Sequence, residues 1–147
     1  MKISTKIRYG LRAMIDLGMF QNAGPVLVKS IADRQQISKK YLDNLLMGLK
    51  SAGLVRSIRG AKGGYVLAKP MEKITVEDIL IALEGPPAFV DCVKDPTCCR
   101  RSDGCVAFEF WSQVSETIEE LLRKTTIAEL VVKQKKMLEQ KAVMYYL

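Results

Sequence analysis

Four cysteines, Cys92, Cys98, Cys99 and Cys105, fall in one short segment of a chain that has no histidine. In a secreted protein, such a group reads as a disulfide framework. In a reducing cytosol, clustered thiols point instead to a metal, a cluster or a redox switch. Thiolate sulfur is the preferred ligand of iron–sulfur clusters, and a loop of this length can wrap one. Four thiolates also suit tetrahedral zinc, and a disulfide between Cys92 and Cys105 would make a thiol switch without any metal. No Cys-x-x-Cys pair occurs, so spacing alone does not choose among these, and vicinal Cys98 and Cys99 can also be a structural accident. The lack of histidine removes the commonest general base. No nucleophile–base pair is visible, and Gly60 to Gly64 lacks the strand-then-helix setting of a nucleotide-binding loop. An enzyme is therefore not expected.

A second group of residues suits a polyanion. Ser38 is placed to cap a helix from about 39 to 51, closed by Gly53. At about 100° per residue, Leu42, Leu45, Leu46 and Leu49 fall on one side, with Tyr41 at its edge. Lys39, Lys40, Asp43, Asn44, Met47 and Lys50 fall on the other. That polar side carries the amide, ammonium and carboxylate groups that read base edges in a major groove, although a solvated helix face has the same pattern. The segments on either side discriminate. A short helix over roughly 28–35 precedes it, with Ile31 and Ala32 inward. Short strand patterns follow, Leu54 to Ser57 and Tyr65 to Ala68, around the turn Ile58-Arg59-Gly60-Ala61-Lys62-Gly63-Gly64. Glycines permit a tight hairpin and close approach to another molecule, and Arg56, Arg59 and Lys62 lie on or beside its tip. Short helix, turn, polar-faced helix and basic hairpin is the order of a winged helix-turn-helix. In that arrangement the helix enters the major groove and the wing sets arginine against the backbone or in the minor groove.

The remaining elements must hold these two groups. Residues 4–20 carry Ile7, Leu11, Met14, Ile15 and Gly18 on one stripe and predict a first helix ended by Gly24-Pro25. Asp16, Arg8 and Arg12 interrupt its apolar run, so it does not read as a signal peptide. No apolar run reaches membrane-spanning length, and a cytoplasmic location is expected. Thr75 and Asp78 have capping-box spacing at the head of a helix that Gly85-Pro86-Pro87 stops. A long helix over about 105–124 spreads Val106, Phe110, Val114, Ile118, Leu121 and Leu122 across a broad apolar face, which suits a homodimer interface. Thr126 caps an expected short continuation. The expected fold is mainly α with a small β-hairpin wing. Its parts are a winged helix-turn-helix over 1–84, a cysteine-bearing loop over 85–104, a dimerisation helix with its continuation over 105–131, and a lysine-rich tail over 132–147. Lys plus Arg number 23 against 16 Asp plus Glu, a net charge of +7 that agrees with a nucleic-acid partner without proving one.

Several phrases resemble the winged-helix regulator family that includes IscR, NsrR and CymR. They are Ile3-Ser4-Thr5-Lys6, Arg8-Tyr9-Gly10-Leu11-Arg12-Ala13, Ile31-Ala32, Ile37-Ser38 with Tyr41-Leu42, and Leu49 to Val55. Arg59-Gly60-Ala61-Lys62-Gly63-Gly64-Tyr65 is the most distinctive, followed by Ile74-Thr75 and Asp78-Ile79. The resemblance covers about residues 1–131. The cysteines, Trp111 and Thr126 to Leu130 make it most similar to the IscR-like members. It implies a homodimer on a palindromic operator in double-stranded DNA, contacted by Ser38, Lys39, Lys40, Tyr41, Asp43, Asn44, Arg59, Gly60 and Lys62. Lys40 and Asn44 are not the commonest types at their positions, so the base sequence read can differ. Asp43 holds the place of a family carboxylate.

The resemblance also implies that Cys92, Cys98 and Cys105 ligate an iron–sulfur cluster, [2Fe–2S] as first choice, with [4Fe–4S] or zinc as alternatives. Phe108 stands where IscR-like proteins supply a histidine. The fourth ligand must then be Cys99, a carboxylate such as Asp103 or Glu109, or a group from the partner chain. Arg8 stands where NsrR-like members supply an acid from the other subunit. A cluster that orders the loop would couple its own affinity to that for DNA, with the sign open. Three rival functions are a thiol/disulfide switch without a cluster, a CymR-like regulator acting with an enzyme partner, and a basic electron carrier that does not read DNA.

Overall fold

The computed structural model describes residues 2–87 and 89–146. Ala88 of the expected loop and Leu147 of the expected tail lie outside the described residues. Helix α1 (Thr5–Phe20) starts at Ser4, whose hydroxyl accepts from the Ile7 N–H at 3.2 Å. Helices α2 (Val28–Gln35) and α3 (Lys39–Ser51) follow, joined by a turn in which Gln36 takes a left-handed conformation with φ 54°. Strands β1 (Val55–Ile58) and β2 (Gly64–Leu67) pair antiparallel, Val55 opposite Leu67 and Ile58 opposite Gly64. Each lies one residue from its expected span. Val26 adds a third edge, exchanging both backbone hydrogen bonds with Tyr65 at 2.8 and 2.9 Å. Helix α4 (Val76–Glu84) has the capping box expected of Thr75 and Asp78. A short α5 (Asp91–Lys94) leads to α6 (Val106–Lys124) and α7 (Ile127–Tyr145).

The core lies where the helices of the winged unit converge. Met14 and Leu17 of α1, Ile31 of α2, Leu42, Leu45, Leu46 and Leu49 of α3, and Ile74 and Ile79 around α4 are all fully buried. A buried leucine or isoleucine contributes about 1.5–3 kcal/mol, so the stripe on α3 fixes that helix while its other side stays free. Close approach to α1 depends on glycine. A Cβ on Gly10 would lie 2.3 Å from Leu83 Cδ1 of α4, and one on Gly18 would lie 2.7 Å from Val131 Cγ2 of α7.

The expected short continuation after Thr126 is a nineteen-residue helix, and its first turns belong to the winged unit. Thr126 caps it, accepting from the Glu129 N–H at 3.3 Å. Ile127 and Val131 enter the core, and the Ile127 N–H donates to the Ile74 carbonyl at 2.9 Å. Lys133 to Tyr145 continue the same helix. In α6 only Ser115 is buried, and its hydroxyl has no hydrogen-bond partner among the described residues. A buried hydroxyl left unpaired costs stability. Ser115→Ala is expected to leave urea stability unchanged or raise it by up to about 1 kcal/mol, whereas a loss of that size would show that the hydroxyl is bonded.

Candidate DNA interface and cysteine loop

Ser38 sets the first turn of α3: its hydroxyl accepts from the Tyr41 N–H at 3.2 Å. Lys39, Lys40 and Asn44 are exposed, and Tyr41 and Asp43 half-buried. The Lys39 ammonium meets Asp43 one turn on at 3.0 Å. An exposed pair of this kind is worth well under about 1 kcal/mol, so it organises the two side chains without preventing either from exchanging partners. Met47, on the same side, is 61% exposed. The polar face expected from the sequence is thus free of the core.

The wing stands next to it. Lys50 Nζ donates to Ser57 Oγ of β1 at 2.8 Å, joining the polar edge of α3 to the first wing strand. At the tip Arg59, Gly60 and Lys62 are exposed, and the Gly63 N–H closes the turn on the Gly60 carbonyl at 3.0 Å. Gly60 has φ 113°, a conformation that favours glycine. The base of the wing is tied down by Val26 and by Gln21, whose side-chain oxygen accepts from the Leu67 N–H at 2.9 Å.

Sequence reasoning missed the group that orients α2 against α1. Asp16, 1% exposed, accepts from Arg34 Nε and Gln35 Nε2, both at 2.9 Å, and from Arg34 Nη2 at 2.5 Å. The bond to Asp16 raises the Arg34 pKa further above its ordinary value. The guanidinium also lies 4.0 Å from the Phe20 ring centroid. These bonds hold the last turn of α2, immediately before the turn into α3. The only sequence signal was a carboxylate at a core-facing position of an otherwise apolar stripe.

The cysteine segment is less organised. Cys92 lies on α5, Cys98 and Cys99 in and just after a single turn over Pro96–Cys98, and Cys105 at the N-cap of α6. Cys98 is exposed and the other three thiols are partly covered. Desolvation, then the neighbouring Asp95, Cys92, Cys99 and Asp91, push the Cys98 thiol above its ordinary pKa. The Asp95 carboxyl is pulled down by the Thr97 hydroxyl and N–H that donate to it. Among the described residues no three Cys, Asp or Glu side chains converge as a metal-ligating group. The thiols therefore do not form a preassembled ligand set, and Phe108 contributes no donor.

Helix α6 turns an apolar side outward. Val106, Phe110, Trp111 and Leu121 are exposed, and a groove of about 280 Å³ runs along Phe110, Gln113, Val114, Thr117 and Ile118. No described helix is long and apolar enough to cross a membrane.

Comparison with known proteins agrees with this arrangement. Residues 3–133 match the family described as "Rrf2: Iron-dependent Transcriptional regulator". The chain is 42% identical to the HTH-type transcriptional regulator CymR of Bacillus subtilis over 147 residues, all of both chains. That alignment runs through residues 132–147, which the motif resemblance leaves outside. It is 36% identical to IscR of Serratia proteamaculans over 134 residues, 91% of this chain and 81% of that one. Among solved structures, the global cysteine regulator CymR of B. subtilis superposes with a TM-score of 0.75 at 41% identity, covering 90% of this chain and 98% of the other. IscR of T. potens does so at 0.77 and 39%, covering 93% and 90%. With its exposed polar helix, its arginine-tipped wing and these relatives, the chain belongs to the Rrf2 family of winged-helix transcriptional regulators and is not an enzyme.

Proposed function

We propose that the protein is a homodimeric, sequence-specific operator-binding regulator, with α3 in the major groove and the wing on the adjacent backbone or minor groove. The observation that carries this is the Lys50–Ser57 hydrogen bond at 2.8 Å, which fixes the exposed side of α3 against a wing whose Arg59 is unburied. Lys40, Tyr41, Asp43 and Asn44 face base edges in this reading, while Arg59, Gly60 and Lys62 supply sequence-independent contacts. Two copies pair through the outward apolar side of α6, which supports a palindromic site. Selection from a randomised duplex pool, followed by fluorescence anisotropy at one stated salt concentration, tests the reading. Enrichment of an inverted repeat bound by one dimer supports it, and uniform affinity for all duplexes refutes it.

The segment holding Cys92, Cys98, Cys99 and Cys105 is the proposed signal input, because it joins the helix beside the winged unit to the pairing helix. The family's description as iron-dependent and the IscR relatives favour a cluster there. The thiols as folded do not preform one. Anaerobic purification assigns the chemistry. Stoichiometric iron and sulfide identify a cluster, and colourless zinc-loaded protein identifies zinc. Metal-free protein whose thiol titre falls on oxidation identifies a thiol switch. Co-purification of an enzyme would add the partner that CymR-like regulators imply.

A further inference from the structure

We propose that the DNA-contacting surface extends from α3 onto the first turns of α1, where Arg8, backed by Tyr9, takes a backbone phosphate beside Lys40 and Tyr41. The inference rests on the operator-binding reading and adds a contact outside both recognition helix and wing.

The Tyr9 ring meets the Tyr41 ring edge-on, with centroids 5.9 Å apart and planes at 89°. Tyr41 lies in the first turn of α3, so α1 reaches the end of the recognition helix through this aromatic pair. Two arginines flank Tyr9, their guanidinium carbons 5.9 Å (Arg8) and 5.2 Å (Arg12) from its centroid. They differ in what else they hold. Arg12 Nε donates to Gln35 Oε1 at 3.1 Å and its Nη2 donates to the Gln35 carbonyl. Gln35 in turn donates to buried Asp16, so Arg12 belongs to the scaffold that sets the α2–α3 turn. Arg8 is exposed and makes one hydrogen bond, to Thr5 Oγ1 on its own helix at 3.1 Å. Among the described residues neither Arg8 nor Lys40 forms an ion pair.

An arginine without a carboxylate keeps its donor fork for another anion, and that fork matches phosphate oxygens. The ring beneath it and the Thr5 hydroxyl hold it in place, so less conformational freedom is lost when it binds. When a recognition helix enters the major groove, the elements flanking its first turn meet the sugar–phosphate backbone, and such contacts fix register without reading sequence. Arg8 is linked to that first turn through the Tyr9 ring, which meets Tyr41.

The test compares wild type, Arg8→Ala, Arg8→Lys and Arg59→Ala by anisotropy on the selected operator and a scrambled duplex across a salt series. Arg8→Ala is expected to weaken both duplexes by about 5–10-fold and to reduce the slope of log affinity against log salt by about 0.9 per protomer. Arg8→Lys loses the same fork geometry but keeps the charge, and is expected to retain the slope and most of the affinity. The inference is overturned if Arg8→Ala leaves affinity and slope unchanged while Arg59→Ala still binds less. It is equally overturned if Arg8→Lys loses as much salt slope as Arg8→Ala, because a charge at this position would then not be neutralising a phosphate. If wild type binds no duplex, the operator reading itself fails and takes this contact with it.

Discussion

Gly64→Ala is expected to lower the thermal midpoint by about 10 °C and to remove high-affinity operator binding. Gly64 opens β2 with φ 153°, where a side chain is strained, and its added Cβ would lie 2.4 Å from the Val26 carbonyl oxygen and 2.6 Å from its carbon. Both neighbours are backbone, held by the paired hydrogen bonds between Val26 and Tyr65. Neither can rotate aside as a side-chain terminus would. Local strain of about 1–3 kcal/mol adds to overpacking of about 1–3 kcal/mol, so a loss of about 2–6 kcal/mol follows. The cheapest relief separates the wing from Val26 and moves Arg59 relative to α3. Differential scanning calorimetry and anisotropy on one preparation check both parts, and near-wild-type values in either would show that the wing tolerates the shift. At Gly10 the same substitution meets only the Leu83 side-chain terminus, so Gly10→Ala is expected to cost less.

The second large effect is expected at Asp16. Asp16→Ala removes a buried carboxylate and leaves the Arg34 and Gln35 donors without their acceptor. Breaking a buried ion pair costs about 3–5 kcal/mol. Arg34 keeps 35% of its side-chain surface in water and can turn outward, so about 2–3 kcal/mol is expected in urea unfolding. Because Gln35 also holds Arg12, the substitution loosens the α2 end of the turn that orients α3. Affinity for the operator is expected to fall more than affinity for a scrambled duplex. An unfolding free energy in urea within about 0.5 kcal/mol of wild type would show that the carboxylate is dispensable.

Those two positions also show which features the sequence discloses. The bounds of α3 are legible because their causes are local: Ser38 caps, four leucines recur at helical spacing, and Gly53 ends the run. The Thr75–Asp78 capping box is legible for the same reason, and so are the turn glycines of the wing. Asp16 is not, because its partners lie 18 and 19 residues ahead and residue type alone shows only an interrupted apolar stripe. Helix α7 is obscured by its lysines. Only its first turns pack against α1, so Ile127 and Val131 are buried while Val132, Met137, Leu138 and Val143 stay exposed. Its composition therefore resembles a solvated tail more than a core helix. For the cysteines, residue types and spacing identify a segment but not a ligand set, since convergence of side chains from α5, the following turn and the α6 N-cap depends on how the loop folds. The candidate DNA residues of α3, by contrast, stay out of the core, Lys39, Lys40 and Asn44 exposed and Tyr41 and Asp43 half-buried, because the apolar side of α3 leaves the polar side no other place.

Operator reading depends on a division of labour between α3 and the wing, and base-by-base binding measures it most directly. On the selected operator and each of its single-base variants, Arg59→Ala is predicted to weaken binding by a similar factor throughout. Asn44→Ala is predicted to abolish discrimination at one base pair per half-site, with the discarded preference worth about 1–3 kcal/mol, while other positions keep theirs. Equal losses across all variants for both substitutions, or no loss for either, would contradict the placement of α3 in the groove.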